Sequence, residues 1–143
     1  MGELEPDAER VFLDGTGSFG ELMTSTETSL NWPLGELYGQ RGANGDIFTP
    51  IRLDATQRGG LLTLAAFLAN TGAPAGSAPA RRGKVVVTRF LCNELPDPPQ
   101  LLPSDSLPAG LTTRQRFEQH GLDPCASSCH SLIDPIGFAF EHY

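Results

Sequence analysis

The sequence predicts a mainly α-helical protein in which short helices are joined by long loops rich in glycine and proline. Apolar residues recur at helical spacing in several segments, whereas no segment of useful length alternates between apolar and polar residues as a half-buried strand does. The 143 residues include 16 glycines and 12 prolines, and 39% of the residues are hydrophobic. This length is sufficient for a core, and the many turn-forming residues indicate that the helices are short.

The charge balance argues against a nucleic-acid-binding protein. The chain has 17 acidic and 10 basic residues, a net charge of −7, and its one basic cluster lies at residues 81–84. Binding to phosphates requires more clustered Lys and Arg than this. The longest apolar run, residues 61–69, is far shorter than the ~20 residues of a membrane span, and the acidic N-terminus does not resemble a signal peptide.

Two helices in the first half of the chain have clear capping signals. Ser18 stands three residues before Glu21, a capping-box spacing that predicts a short helix over residues 19–23. Asn31 is expected to cap the next helix, and Gly39 is expected to end it. The buried stripe of that helix is predicted to consist of Leu34, Leu37 and Tyr38.

Three further elements are predicted from patterning in the same half. Residues 7–12 resemble the end of a helix, and residues 58–70 form the most apolar helix candidate. A brief strand-like stretch is expected to contain Ile47, Ile51 and Leu53.

The second half alternates between loops and helices. Residues 71–79 are predicted to be a loop and residues 82–95 a helix that stops at Pro96. A connector with several prolines follows at residues 96–108, and a polar helix is predicted from Thr112 or Thr113 to His120.

Near the C-terminus, Cys125 and Cys129 are followed at once by His130, an arrangement typical of a covalently bound c-type haem. Such a site needs two thiols for the vinyl groups and an adjacent imidazole as an axial iron ligand. Here three residues separate the cysteines instead of the usual two, but positions i and i+4 share one helix face. We therefore expect haem c with His130 as axial ligand and a thioether at Cys129. Attachment at Cys125 depends on whether the fold absorbs the extra residue.

The same residues leave two other interpretations open. Cys92 can form a disulfide with Cys125 or Cys129, closing a loop of about 33 to 37 residues worth ~3–4 kcal/mol. A zinc site built from the two C-terminal cysteines, His130 and a further ligand also has suitable chemistry, although adjacent Cys and His ligands are awkward.

A bound iron would have three candidate sixth ligands in this chain. His142 and His120 are the histidines nearest in sequence to His130, whereas Met23 is better explained as a core residue. Residues 134–137 are expected to make a tight turn in which Asp134 is a hydrogen-bond acceptor. Phe138 and Phe140 would then pack against the haem edge or within an ordinary core.

Several segments, in order along almost the whole chain, resemble large secreted cytochrome-like proteins of planctomycetes and myxobacteria that contain domains of unknown function 1592 and 1588. The matching segments upstream of the cysteine motif are residues 31–39, 58–62, 77–84 and 90–92. Those around the motif are residues 114–120, 123–125, 129–130, 134–138 and 141–143.

This resemblance implies a domain organisation and a location. Residues 1–73 would be the C-terminal part of a 1592-like helical domain, and residues 74–143 a 1588-like, cytochrome-like domain that stops before the family's domain ends. Cys125, Cys129 and His130 take the places of the family's Cys-x-x-Cys-His residues. The resemblance also implies an extracytoplasmic protein, periplasmic or secreted.

Together these observations predict a haem-binding module that transfers electrons to a redox partner or to neighbouring domains of a larger protein. The sequence has no recognisable catalytic triad, phosphate-binding loop or paired-carboxylate site, which favours electron transfer over enzymatic activity. A haem-dependent oxidoreductase would need a distal acid–base group, and the sequence does not identify one. The alternative is a disulfide-stabilised helical interaction domain without a cofactor.

Overall fold

The computed structural model of the chain describes residues 2–74, 76–97, 110–121 and 124–143, with the side chains of residues 120 and 124–126 excluded. In this part of the chain, seven α-helices and two short strands are formed, which confirms the prediction of a mainly α-helical protein. The chain divides into two compact units, Met1–Asn70 and Thr71–Tyr143. The predicted domain boundary at residue 73 and the 1592-like assignment before it stay predictions.

The N-terminal unit contains four helices and a two-stranded antiparallel sheet. Its helices are α1 (Leu4–Glu9), which continues as a π-helical turn over Arg10–Asp14, α2 (Phe19–Thr24), α3 (Trp32–Tyr38) and α4 (Ala65–Asn70). Its strands are β1 (Glu27–Leu30) and β2 (Thr49–Arg52), with Glu27 opposite Arg52 and Leu30 opposite Thr49.

Both predicted helix caps are present in this unit. The Ser18 hydroxyl accepts a hydrogen bond from the Glu21 N–H at 3.0 Å, and the Asn31 amide oxygen accepts one from the Leu34 N–H at 3.4 Å. Gly39 ends α3 in the left-handed conformation, with φ of 66°. These caps satisfy donors and acceptors that a helix end leaves unpaired.

The predicted stripe of α3 is correct at Leu34 and Tyr38 and wrong at Leu37, which is 66% exposed. The helix approaches the core through Gly35, where an added methyl group would lie 2.8 Å from the Ala43 Cβ. At 100° per residue, the inner face is therefore centred between Leu34 and Gly35, and Leu37 lies about 110° from that centre. The buried cluster beneath α3 consists of Leu30, Ala43, Leu53 and Leu64.

The predicted helix over residues 58–70 forms only in its second half, as α4. A 3₁₀ turn at Leu61–Thr63 precedes it, and Leu64 has an extended ψ of 144°. Gly60 is held at φ of 72° with its backbone against the Met23 carbonyl, a position that a side chain would block. Tertiary packing therefore overrides the helical apolar spacing.

The strand-like prediction is correct in part. Ile51 lies in β2 and Leu53 is buried just after it, whereas Ile47 precedes the strand and is exposed. β1 was not predicted because its three buried residues are consecutive, so it shows no alternation.

A buried carboxylate links three helices of this unit. Tyr38 on α3 donates its hydroxyl to the Glu3 carboxylate at 2.5 Å and accepts the Ala65 N–H at 2.6 Å. The second Glu3 oxygen accepts the Ala66 N–H at 3.0 Å, so one acidic residue joins the start of α1 to α3 and α4. Burial together with this bond to Glu3 raises the pKa of Tyr38 above its ordinary value.

Three α-helices lie in the described part of the C-terminal unit. These are α5 (Pro79–Val85), which continues as a π-helical turn over Val86–Phe90, α6 (Thr113–Gly121) and α7 (Pro124–Phe138). The helix predicted over residues 82–95 therefore begins and ends earlier, and Cys92 beyond it has a positive φ of 54°. The predicted connector at residues 96–108 lies almost entirely outside the described residues.

The helices α5 and α7 cross at two glycines. A methyl group at Gly83 would lie 1.9 Å from the Ile133 carbonyl oxygen, and one at Gly137 would lie 1.9 Å from the Pro79 carbonyl oxygen. The two backbones therefore touch directly, as they can only where the Cβ is absent.

A nearly buried ion pair adds to this crossing. Arg82 on α5 is 5% exposed, and its guanidinium lies 2.9 Å from the carboxylate of Glu141, which also accepts from Ser77. The Arg82 Nε donates to the Thr71 hydroxyl at 3.3 Å. The segment after α7 is thereby bound to α5.

The tight turn predicted over residues 134–137 is wrong, because these residues belong to α7. Pro135 lacks the N–H for a helical hydrogen bond and would normally bend or end the helix. Ile133 and Gly137, on either side of Pro135, both contact α5, and these contacts explain why α7 continues through the proline. Across the described ranges, no helix is long and apolar enough to cross a membrane.

Candidate functional site

The cysteine–histidine motif lies within α7. Cys129 and His130 are adjacent on this helix, and the backbone of Cys125 is one turn earlier, although its side chain lies outside the described residues. On an α-helix, residues four apart differ by 40° around the axis and by about 6 Å along it. Positions 125 and 129 therefore share one face of α7, as predicted from the spacing.

Cys129 is a half-buried free thiol. Its sulfur lies 3.9 Å from the Pro96 carbonyl oxygen, within range of a weak S–H donation. The position brings the segment that follows Cys92 close to the motif. Cys92 itself is an exposed free thiol, and its cross-link to a C-terminal cysteine stays a prediction.

His130 is oriented by a carboxylate one helical turn away. Its Nδ1 lies 3.1 Å and 3.0 Å from the two oxygens of Asp134. The side chains of His130 and Asp134 are 20% and 13% exposed, so most of this pair is shielded from water. In a neutral imidazole that donates Nδ1–H to a carboxylate, the lone pair lies on Nε2.

Aromatic side chains from α6 and α7 flank this pair. The Phe117 ring centroid lies 6.3 Å from that of His130 and 5.7 Å from that of Phe138, in an edge-on arrangement with Phe138. The Arg114 guanidinium lies 4.6 Å from the Phe138 centroid. Phe138 therefore packs against residues of α6, as predicted for an ordinary core. The ring centroid of Phe140 lies 6.4 Å from that of Tyr143.

The candidate sixth ligands of an iron at His130 stay predictions. His142 is exposed, and its ring centroid lies 4.1 Å from that of Tyr143. Met23 belongs to the N-terminal unit, and the side chain of His120 is not among the described residues. Among the described side chains, no three His, Cys, Asp or Glu residues are close enough to hold a metal ion together. The zinc interpretation, which requires the Cys125 side chain, stays a prediction.

Asp134 is the site residue whose role the sequence interpretation missed. It was expected to accept a hydrogen bond within a turn, but it is a helical residue that faces His130. The spacing of four between His130 and Asp134 was the available signal, because residues at i and i+4 are neighbours on a helix. The i and i+4 relation was not used, because Pro135 indicated a turn rather than a helix at Asp134.

The described residues supply part of the ligand set that a c-type haem would need. They provide an oriented imidazole, an adjacent thiol and neighbouring aromatic surface. Imidazole and thiol are the two groups that such a cofactor requires from the protein.

Comparison with known proteins gives one family. Residues 58–143 match PSCyt3, described as "Protein of unknown function (DUF1588)". The matched segment is more than half of the 143-residue chain and includes α5, α6 and α7. The 1588 part of the resemblance is thereby confirmed, whereas the 1592 part and the assignment to planctomycetes and myxobacteria stay predictions. Neither the curated proteins nor the solved structures gave a significant match.

Proposed function

The chain belongs to the DUF1588 family, and we propose that its C-terminal unit is a c-type haem-binding module that transfers electrons within a larger extracytoplasmic protein. The short name of the family, PSCyt3, suggests a cytochrome, while its description leaves the function unknown. The observation that carries the proposal is the shielded His130–Asp134 pair, whose histidine directly follows the free thiol residue Cys129 on α7.

Each of these side chains has a distinct task in the proposed site. Cys129 would hold the haem covalently, because addition of its S–H across a vinyl group gives a thioether with no leaving group. His130 would hold the iron through Nε2, and the Phe117 ring lies next to the imidazole, with its centroid 6.3 Å away. When bound, the haem supplies one-electron oxidation and reduction, while the protein sets the potential. The module makes and breaks no substrate bonds.

The spacing of the two cysteines affects only the second anchor. On a helix, a separation of three residues gives about 4.5 Å along the axis, and a separation of four gives about 6 Å. Compared with a separation of three, a separation of four also moves the position of Cys125 by 100° around the helix axis. Since Cys129 and His130 remain adjacent, the extra residue strains the thioether at Cys125 rather than the one at Cys129.

Expression with a secretion signal in a host that matures cytochromes c tests this proposal. We expect a pyridine haemochrome spectrum that survives acid–acetone extraction in the wild type and is lost in Cys129→Ala. Cys92→Ala is the matched control, because it removes an exposed cysteine outside the motif and should leave haem loading unchanged. Deletion of Ser127 restores the two-residue spacing and should raise loading and shift the spectrum from one thioether to two.

A colourless wild-type protein under these conditions would contradict the haem proposal. It would favour the second candidate, a disulfide-stabilised helical interaction domain, which the position of Pro96 beside Cys129 specifically supports. Mass mapping of the same sample without reductant would then find Cys92 joined to Cys125 or Cys129. Haem-bound protein with Cys92 as a free thiol would exclude that alternative.

A further inference from the structure

The contact between His130 and Asp134 is more constrained than an ordinary surface pair on a helix. Pairs at i and i+4 on exposed helix faces contribute only about 0.2–0.5 kcal/mol and are screened by water. Here the two side chains are 20% and 13% exposed, and both Asp134 oxygens lie within 3.1 Å of Nδ1. Water therefore competes weakly for either partner.

The local sequence is unfavourable for the helical conformation that creates this contact. Asp134 immediately precedes Pro135, and a residue before proline is disfavoured in the α region. Aspartate is also a poor residue for a helix interior. The packing of Ile133 and Gly137 against α5 stabilises this part of α7 and places the carboxylate one turn below the imidazole.

Among the described residues, no other cation competes for Asp134. The basic residue of α6 that lies over this end of α7 is Arg114, and its guanidinium is placed over the Phe138 ring. Arg82 on α5 is paired with Glu141. In the described ranges, the ion pair of Asp134 is therefore made with His130.

From this arrangement, which rests on the proposed function, we infer that Asp134 is a positioning residue that sets the tautomer of His130 and lowers the reduction potential of an iron bound to it. The carboxylate accepts Nδ1–H, which leaves the lone pair on Nε2 and fixes the orientation of the ring about its χ angles. A carboxylate on the far nitrogen also makes the imidazole a stronger electron donor. A stronger donor stabilises ferric over ferrous iron, so the potential falls.

The tautomer can be measured without haem, by ¹⁵N–¹H correlation spectra of the imidazole in the haem-free protein at pH 8.5, where free histidine is neutral. We expect His130 in the Nδ1–H tautomer in the wild type and a substantial Nε2–H population in Asp134→Ala. Glu118→Gln is the matched control, because it removes an exposed carboxylate from α6 in the same unit. A wild-type His130 in the Nε2–H form, or an unchanged tautomer in Asp134→Ala, would overturn the inference.

The second measurement uses the haem-loaded protein. Asp134→Asn keeps an oxygen acceptor for Nδ1–H but removes the negative charge, so the midpoint potential should rise while haem loading is retained. It also provides a folded variant if alanine disrupts α7. A potential equal to that of the wild type and of Glu118→Gln would overturn the electronic part of the inference. If the wild type binds no haem, the proposed function fails, whereas the tautomer experiment still decides whether Asp134 positions His130.

Discussion

The crossing of α5 and α7 predicts that Gly137→Ala is strongly destabilising. The new methyl group would lie 1.9 Å from the Pro79 carbonyl oxygen, 2.5 Å from its carbon and 3.0 Å from its Cα. A normal carbon–oxygen contact of this kind is about 3.3 Å or longer. The helices would therefore have to separate by roughly 1.4 Å. No side-chain rotation can relieve the clash, because the backbone fixes the position of the Cβ atom.

Two opposing effects set the magnitude. Overpacking of a tight contact typically costs about 1–3 kcal/mol, and a backbone clash belongs at the upper end of that range. Alanine gains about 1 kcal/mol over glycine in a helix interior. The net expectation is a loss of about 2 kcal/mol, or about 8–16 °C in the melting temperature of a unit of this size. Gly83→Ala should behave similarly, because its methyl group meets the Ile133 carbonyl at the same distance.

Thermal unfolding followed by circular dichroism at 222 nm, together with hydrogen exchange of the α5 and α7 amides, measures this effect. Gly121→Ala is the matched control, since it lies in α6 and nothing approaches the added methyl group within 4 Å. The double variant Gly83→Ala/Gly137→Ala should cost less than the sum of the single changes, because the first alanine already separates the helices. A Gly137→Ala protein as stable as Gly121→Ala would refute the close crossing.

Three further changes test other parts of the structure. Glu141→Gln leaves the Arg82 charge nearly buried beside a neutral amide and should cost about 2 kcal/mol, measured by urea denaturation; an unchanged midpoint would show that the pair contributes nothing. Burial raises the pKa of Asp7 to about 6, so the folded state holds a proton that the unfolded chain has already released, and stability should fall as the pH rises from about 4 to about 6. Asp7→Asn should remove that dependence and stabilise the N-terminal unit by about 1–2 kcal/mol at pH 7.5, after allowance for screening; equal pH profiles for the two proteins would contradict this. Asn31→Ala should cost about 1 kcal/mol through loss of the α3 cap, and Asn31→Asp, which can still cap, should restore most of it.

Features that depend on a few neighbouring residues could be predicted from the sequence. The caps at Ser18 and Asn31 and the end of α3 at Gly39 are formed as predicted, because each is a local contact between a side chain or backbone group and the next turn. The mainly α-helical class follows from many such local signals. It does not require knowledge of which helices meet.

Features that depend on distant contacts could not be predicted in the same way. The turn of Gly60 against the Met23 carbonyl interrupts a segment with helical spacing. The contact of Gly35 with Ala43 rotates α3 so that Leu37 faces solvent. In each case, a close contact with residues outside the helical segment overrides a correct local preference.

The candidate site shows the same division. Cys129 and His130 could be predicted as candidates from the sequence because a c-type haem motif requires a cysteine directly before its histidine, and adjacency is visible in a sequence. The partner of His130 was not, because Pro135 favoured a turn at Asp134. Only the packing of α5 against α7 keeps that residue helical and within 3.1 Å of the imidazole.

Residues that stabilise the fold have to be distinguished from residues that indicate a function within the segment that matches the family. Gly83, Gly137 and the Arg82–Glu141 pair lie within the segment that matches the family, and all of them are explained by the packing of α5 on α7. A helical unit without any cofactor would need them equally. The contacts described for Cys129, His130 and Asp134 are made instead with Pro96, with Phe117 and between His130 and Asp134. Evidence for haem must therefore come from variants of the cysteine–histidine motif. A change at Gly83 or Gly137 would disrupt the unit, so its loss of function would be expected under every functional hypothesis.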